Sequence, residues 1–253
     1  MLKVVMARLQ QKHRTIKYPD APPPAVPDRF RGRPMIDSAK CTVNCKKCAE
    51  NCPTGAIQCE KNKTIDLGKC LFCTDCADSC PNNAISHSND YRLSVSKRQN
   101  LVVSADQKDI VLAAELNKKI KKMFGRSLKL RQVSAGGCNA CEADVNVLNT
   151  VGWDLGRFGI QFVASPRHAD GVLVTGPVSK NMKLALMKTY DATPAPKIVI
   201  AVGSCAVSGG TFSGHDEVCD GVSDLLPVDL FIPGCPPHPL TILNGLLQLI
   251  GKI

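Results

Sequence analysis

Apolar residues change their period along this chain of 253 residues. In the C-terminal half, short apolar runs at 128–133, 160–164, 172–175, 198–202 and 228–232 read as strands, and helical stretches at 141–151, 181–190 and 240–250 alternate with them. That alternation predicts a parallel, doubly wound α/β sheet with its ligand at the loops leaving the strand C-termini. Upstream, Leu112, Leu116, Ile120 and Met123 form an apolar stripe among Lys118, Lys119, Lys121 and Lys122. The stripe predicts a helix over 107–124, stopped by Gly125. Residues 64–66 predict a short strand. At the start, Leu2, Val5, Met6 and Leu9 recur at helical spacing beside Lys3, Arg8, Lys12 and Arg14. This predicts an amphipathic helix, lying on a membrane or a partner or packed on its own protein. Pro19, Pro22, Pro23, Pro24 and Pro27 then impose an extended arm that ends near Pro34 and either wraps a neighbouring subunit or joins two elements.

These patterns divide the chain into a basic, proline-rich arm (1–35), a compact cysteine-rich module (36–92), a linker with a helix (93–127) and an α/β domain (128–253). A hydrophobic content of 44% is enough for a substantial core. No apolar run approaches the roughly 18–20 residues of a spanning helix, and residues 1–14 carry no export segment. The expectation is a soluble protein on the cytoplasmic side, where 14 cysteines point to metal rather than disulfides. The formal charge of +10 is concentrated at the start, with eight Lys/Arg against two Asp in residues 1–35. A four-iron cluster on four thiolates brings roughly −2, so three would lower the balance to about +4. With aromatics at 4% there is no base-stacking platform, which argues against a nucleic-acid partner. The basicity fits an acidic subunit or lipid headgroups.

Twelve of the cysteines carry the chemistry. Cys41-x3-Cys45-x2-Cys48-x3-Cys52-Pro53 is followed by Cys70-x2-Cys73-x2-Cys76-x3-Cys80-Pro81, and the phrase after each quartet repeats, with Ile57 and Ile85 in the same place. The second quartet matches the bacterial ferredoxin run, in which the fourth cysteine serves the other cluster. One [4Fe-4S] cluster then takes Cys70, Cys73, Cys76 and Cys52, and a second takes Cys41, Cys45, Cys48 and Cys80. A four-cysteine zinc site is the alternative, disfavoured by the doubled quartet and its Cys-Pro endings. The first quartet departs from the usual spacing by one residue, which leaves Cys41 the weakest member and Cys59 the nearest substitute; Cys59 reads as a small buried hydrophobe. A separate set comprises Cys138 and Cys141 in Gly136-Gly137-Cys138-Asn139-Ala140-Cys141-Glu142, Cys205 after Gly203-Ser204, and Cys235 in Gly234-Cys235-Pro236-Pro237. All four fall on or beside the strand-end loops of the predicted sheet. Cys219 fits no group.

Residues 126–253 resemble the small subunit of membrane-associated, group 4 [NiFe] hydrogenases, the branch of formate hydrogenlyase and the energy-converting enzymes. They are also similar to the complex I subunit that carries its terminal cluster. The phrases are Ser134 to Glu142, Ser165-Pro166-Arg167-His168-Ala169-Asp170, Gly203-Ser204-Cys205 with Gly209-Gly210, and Val228 to Pro237. Cys138-x2-Cys141 favours the hydrogenase branch over complex I, which has adjacent cysteines there. The resemblance implies a flavodoxin-like sheet domain behind a small α+β, bacterial-type two-cluster ferredoxin domain. It also implies a proximal cluster on Cys138, Cys141, Cys205 and Cys235, the third [4Fe-4S] cluster of the chain. That cluster would face a nickel–iron centre in a hydrogenase-type large subunit, and no residues of this chain remain to hold nickel. The chain would be an electron-transfer subunit, peripheral on the cytoplasmic face of the membrane among other membrane-complex subunits, exchanging electrons with them or with soluble ferredoxin.

Glu142, beside Cys141, is a candidate for a proton or interface role, although carboxylates are common in the first turn of a helix. Arg167 and His168, by the resemblance, lie near the large subunit, with His168 read as a loop hydrogen-bonder. His87 has no group around it in sequence and reads as a surface residue. Three rival functions stand beside the hydrogenase reading: a nickel-free complex I-like or hydrogenase-related oxidoreductase subunit, a stand-alone ferredoxin-type carrier, and a zinc-dependent nucleic-acid binder.

Overall fold

The computed structural model describes residues 2–11, 14–42, 44–59, 63–104, 110–113 and 127–253. The chain opens with helix α1 (Leu2–Gln11). Its stripe residues Leu2, Val5, Met6 and Leu9 are all exposed, Leu2 by 80% and Leu9 by 68%, so α1 does not bury that face on its own protein. The arm that follows behaves differently. The Ile16 N–H donates to the Gly152 carbonyl at 2.8 Å, and Arg157 donates to the Ile16 and Tyr18 carbonyls. Tyr18 is buried, and its hydroxyl accepts from Asn244 Nδ2 at 2.7 Å. The start of the arm therefore straps the N-terminus to the C-terminal half of the same chain. The helix expected over 107–124 lies, apart from residues 110–113, outside the described residues. No helix among the described residues is long and apolar enough to cross a membrane.

The sequence repeat of the cysteine-rich module becomes a two-fold repeat of structure. Its first half runs β1 (Pro34–Ile36), α2 (Lys47–Glu50), β2 (Ile57–Cys59), and its second β3 (Lys63–Asp66), α3 (Asp75–Asp78), β4 (Ile85–His87). Each half pairs with the other: β1 runs antiparallel to β4, and β2 antiparallel to β3. A further strand, β5 (Val102–Ser104), pairs with β3 and places Val103 opposite Ile65. The sheet therefore takes a strand from beyond residue 92. Helices of four residues are far too short to be stable alone and depend on what surrounds them.

The C-terminal half is the predicted parallel sheet. Its strands are β6 (Leu128–Ser134), β7 (Ile160–Phe162), β8 (Gly171–Thr175), β9 (Ile198–Val202) and β10 (Leu230–Ile232). They are crossed by α4 (Ala140–Val147), α5 (Lys180–Ala192), α6 (Ser204–Ser208) and α7 (Pro239–Leu249). The order β7-β6-β8-β9-β10, parallel throughout, is the flavodoxin order 2-1-3-4-5. Every residue of β8, β9 and β10 is buried, as expected of strands covered on both faces. One face packs Leu130, Leu173 and Ile200 against α7, through Leu243 and Leu246, and against Val145 of α4. The other packs Val174, Val199 and Ala201 against Leu186 of α5 and continues into Leu67 of the cysteine-rich module and Val95, Leu101 and Val103 of the segment that follows it. Val95 also bridges to Phe231 of β10. The two halves share one hydrocarbon core, and fully burying each such side chain contributes about 1.5–3 kcal/mol.

Candidate metal centres

The repeat gathers the first eight cysteines into two cavities. One is lined by Cys41, Cys45, Cys48 and Cys80, the other by Cys52, Cys70, Cys73 and Cys76. The fourth cysteine of each quartet thus stands with the other quartet's first three, because β1 and β4, like β2 and β3, cross between the halves. The loops curl tightly to do this: Phe72 and Thr74 sit at φ +56° and +79°, a region that bulky residues rarely enter. The curl turns backbone N–H groups toward sulfur. Phe72 N donates to Cys70 Sγ at 3.3 Å, Ala56 N to Cys52 Sγ at 3.2 Å, and Ala84 N to Cys80 Sγ at 3.3 Å.

At the Cys41 cavity the Lys63 ammonium donates to Cys41 Sγ at 2.8 Å and to the Thr42 carbonyl at 3.2 Å. Asn82 Nδ2 donates to Thr42 Oγ1 and to the Lys40 carbonyl. These contacts anchor the side of the loop where the extra residue falls. Cys59, the substitute weighed from sequence, is absent from the residues lining this cavity; its sulfur lies 3.7 Å from Cys48 Sγ.

The third set meets at the C-terminal edge of the sheet. Cys138 and Cys141 follow β6 and enter α4, Cys205 follows β9 at the start of α6, and Cys235 follows β10. Close approach is possible because glycines stand where a side chain would collide. A Cβ on Gly203, at φ +90°, would come within 2.5 Å of Cys141 Sγ, and one on Gly210, at φ +58°, within 2.7 Å of Cys205 Sγ. Cys138 and Cys235 are exposed at the rim while Cys141 and Cys205 are partly buried. The edge also touches the ferredoxin-like module. Ser204 Oγ donates to the Cys70 carbonyl at 2.6 Å, and Ser208 Oγ to the Gly68 carbonyl at 2.8 Å. The helix bearing Cys205 therefore also grips the loop that presents Cys70.

The electrostatics of the thiols ask for a cation. Burial pushes Cys70 up to about 12. Burial, followed by the charge of Cys59, pushes Cys48 up to about 12. Burial and then Cys73 raise Cys76 to about 11, and burial with Cys235 and Cys138 raises Cys205 to about 11. Cys141 is raised by burial and then by Glu142 and the other three thiols of its set. Cys235 is raised by burial, by Cys138 and also by Cys73 of the neighbouring cavity. At Cys80 the N–H groups of Ala84, Asn82 and Ile85 outweigh burial and lower the pKa. Four ionised thiolates in any of these places repel one another unless positive charge lies among them. Among the described residues no three His, Cys, Asp or Glu side chains converge as a single ion requires; the first eight thiols ring cavities, the donor arrangement of a multi-atom iron–sulfur group.

Glu142 is buried, and its Oε1 accepts from Ser134 Oγ and Thr175 Oγ1, both at 2.6 Å. It braces α4 against β6 and β8 beneath Cys141. Arg167 and His168 are exposed on a short 3₁₀ turn, Pro166–His168. Cys219 packs, partly buried, against the shared core. His87 departs from expectation: it is half-buried and lines the Cys70 cavity, with its pKa lowered by burial and then by Arg31. Sequence distance hid it, although β4 follows Cys80 by a few residues. Lys63 escaped notice for the same reason.

A doubled ferredoxin-like cysteine module sharing its core with a flavodoxin-like sheet, with four more thiols at the sheet edge, defines an electron-transfer iron–sulfur protein. Comparison with known proteins agrees. Residues 138–249 match the family model described as NADH ubiquinone oxidoreductase, 20 kDa subunit, and residues 63–86 match the 4Fe-4S binding domain. The chain is 41% identical over 132 residues to the "Probable membrane-bound hydrogenase subunit mbhJ" of Pyrococcus furiosus, covering 52% of this chain and 79% of that one. It is 40% identical over 153 residues to formate hydrogenlyase subunit 7 of Escherichia coli, covering 60% and 58% respectively. An NADH-quinone oxidoreductase subunit of Citrifermentans bemidjiense is 44% identical over 117 residues, covering 46% and 68%. The chain belongs to the family of the 20 kDa subunit of NADH ubiquinone oxidoreductase.

Proposed function

We propose that the chain is the electron-transfer small subunit of a membrane-associated [NiFe] hydrogenase complex, serving 2 H⁺ + 2 e⁻ ⇌ H₂ at a nickel–iron centre in a separate large subunit. Cys138, Cys141, Cys205 and Cys235 would hold the cluster nearest that centre. Cys70, Cys73, Cys76 and Cys52 would hold the next, and Cys41, Cys45, Cys48 and Cys80 the outermost. Bound [4Fe-4S] clusters supply one-electron carriers at these three places. The observation that carries the reading is the two-sided sheet edge: Cys138 and Cys235 are exposed at the rim, while on the other side Ser204 donates to the Cys70 carbonyl. The two halves share one hydrocarbon core across that boundary. Residues 36–92, with the added strand Val102–Ser104, would act as the ferredoxin domain and residues 128–253 as the sheet domain. The complex would lie on the cytoplasmic face of the membrane and exchange electrons with its other subunits or with soluble ferredoxin.

The names of the relatives support both hydrogenase and quinone-reductase partners. Cys138-x2-Cys141 favours the former, and the family model keeps a nickel-free, complex I-like assembly as the second reading. Anaerobic purification of the chain with its native partners, followed by iron and nickel assay, separates them. About twelve irons per chain with nickel in a partner and H₂ activity is the expected result. Twelve irons without nickel would move the assignment to the complex I-like reading.

A further inference from the structure

The two halves of the ferredoxin-like module provide an internal control on electrostatics. Ile36-Asp37 leads to Lys40-Cys41 as Ile65-Asp66 leads to Lys69-Cys70, so Pro34 answers to Lys63 and, past the extra residue of the first quartet, Lys47 answers to Asp75. The repeat exchanges these residues between the cavities: Lys63 lines the Cys41 cavity and Pro34 lines the Cys70 cavity. Lys63 donates to Cys41 Sγ at 2.8 Å, whereas Pro34 offers no donor of any kind at the equivalent place. Lys40 and Lys47 also line the Cys41 cavity. Lys40 is exposed and paired with Asp37 at 3.5 Å, and Lys47 is exposed, so water screens both. At the Cys70 cavity Cys73 is raised by burial, its neighbour Asp75 acting on it both through its backbone N–H, which lowers the pKa, and through its charge, which raises it. His87, which answers to Cys59, also lines the Cys70 cavity, but the contact of a cation with a ligand sulfur is made by the Lys63 ammonium at the Cys41 cavity.

Resting on the reading above, we infer that Lys63 raises the reduction potential at the Cys41 site and makes it the place where electrons collect at the outer end of the chain. Reduction there adds one electron, drawn from the neighbouring Cys70 site, and so adds one negative charge beside Cys41. A charge-assisted hydrogen bond from a cation to the ligand sulfur favours the more negative state. Pro34 and Asp75 give the Cys70 site no such help, so the Cys70 site passes electrons outward rather than storing them.

The test is an anaerobic redox titration of the complete, cluster-loaded chain followed by electron paramagnetic resonance, with iron counted in each sample. In Lys63→Met one midpoint is expected to move to more negative potential while the other two hold, at about twelve irons per chain. Lys63→Arg, which keeps the charge, should stay near the wild type. Three unchanged midpoints in Lys63→Met at full iron content would overturn the inference. So would a loss of about four irons, because Lys63 would then be holding the loop rather than setting a potential. A wild-type chain that binds fewer than about twelve irons would instead overturn the three-cluster reading and remove the basis of this one.

Discussion

The Cys41 and Cys70 sites and the sheet-edge site reach similar sets of four thiols by opposite routes. The first two are built within residues 34–87 from three- and four-residue strands and two four-residue helices. The sheet-edge site collects cysteines from 138 to 235 and needs the order of a five-stranded sheet to do so. Its strands β8, β9 and β10 are fully buried, packed by hydrocarbon rather than by the thiols. The difference leads us to expect that the first region leans on its cofactor for its fold, while the other is held by hydrocarbon and only lends its edge to a cofactor. Anaerobic iron removal is the strongest way to break the comparison. Amides of β2 and β3 should then exchange with solvent faster by on the order of 100-fold, while those of β8 and β9 keep most of their protection. Hydrogen exchange read by mass spectrometry measures both. Protection retained in both regions would show that the shared core, rather than the cofactor, holds the cysteine-rich module together, and equal loss that the sheet leans on the cofactor as much as the module does.

A narrower intervention aims at the sheet edge alone. Gly203 has φ +90°, and a Cβ there would meet Cys141 Sγ at 2.5 Å. Gly203→Ala should therefore displace Cys141 and cost the chain about four irons, with a strain of order 1–3 kcal/mol in the sheet domain. The ferredoxin-type spectrum should persist, since Cys141 lies in neither of those cavities. Retention of all iron in this variant would mean that the β9–α6 turn yields more easily than the close approach implies.

The same contrast explains what could be read from the chain. The doubled quartets were legible because each loop closes over a few residues and spacing alone fixes which thiols meet. The five strands of the sheet were legible from apolar runs such as 198–202, buried on both faces. The sheet-edge set needed topology as well, since only the order of β6, β9 and β10 brings Cys138, Cys205 and Cys235 together. Contacts formed by the two-fold exchange were invisible: His87 and Lys63 reach the cavities only after β4 and β3 pair across the halves. Packing between regions was hidden too. Neither the strap at Tyr18 nor the continuity of Leu67 and Leu101 with the sheet face leaves a local signature.

The smallest expected effect lies at the seam where the two constructions meet. Ser204 Oγ donates to the Cys70 carbonyl at 2.6 Å and also to the Gly234 carbonyl at 3.2 Å, so one hydroxyl ties the β9, β10 and Cys70 loops together. Ser204→Ala removes those bonds at a cost of about 1 kcal/mol, too little to unfold either half. Ser208 still holds the Gly68 carbonyl, and Leu67 and Leu101 still fill the core beneath. If the seam sets the separation of the Cys70 and sheet-edge sites, the variant should keep its full iron content and weaken the magnetic interaction between two clusters in the reduced state. Electron paramagnetic resonance at several temperatures reads this directly. An unchanged interaction would assign the spacing to the hydrocarbon core, and would extend to the electron path the dominance that the core already holds over the sheet.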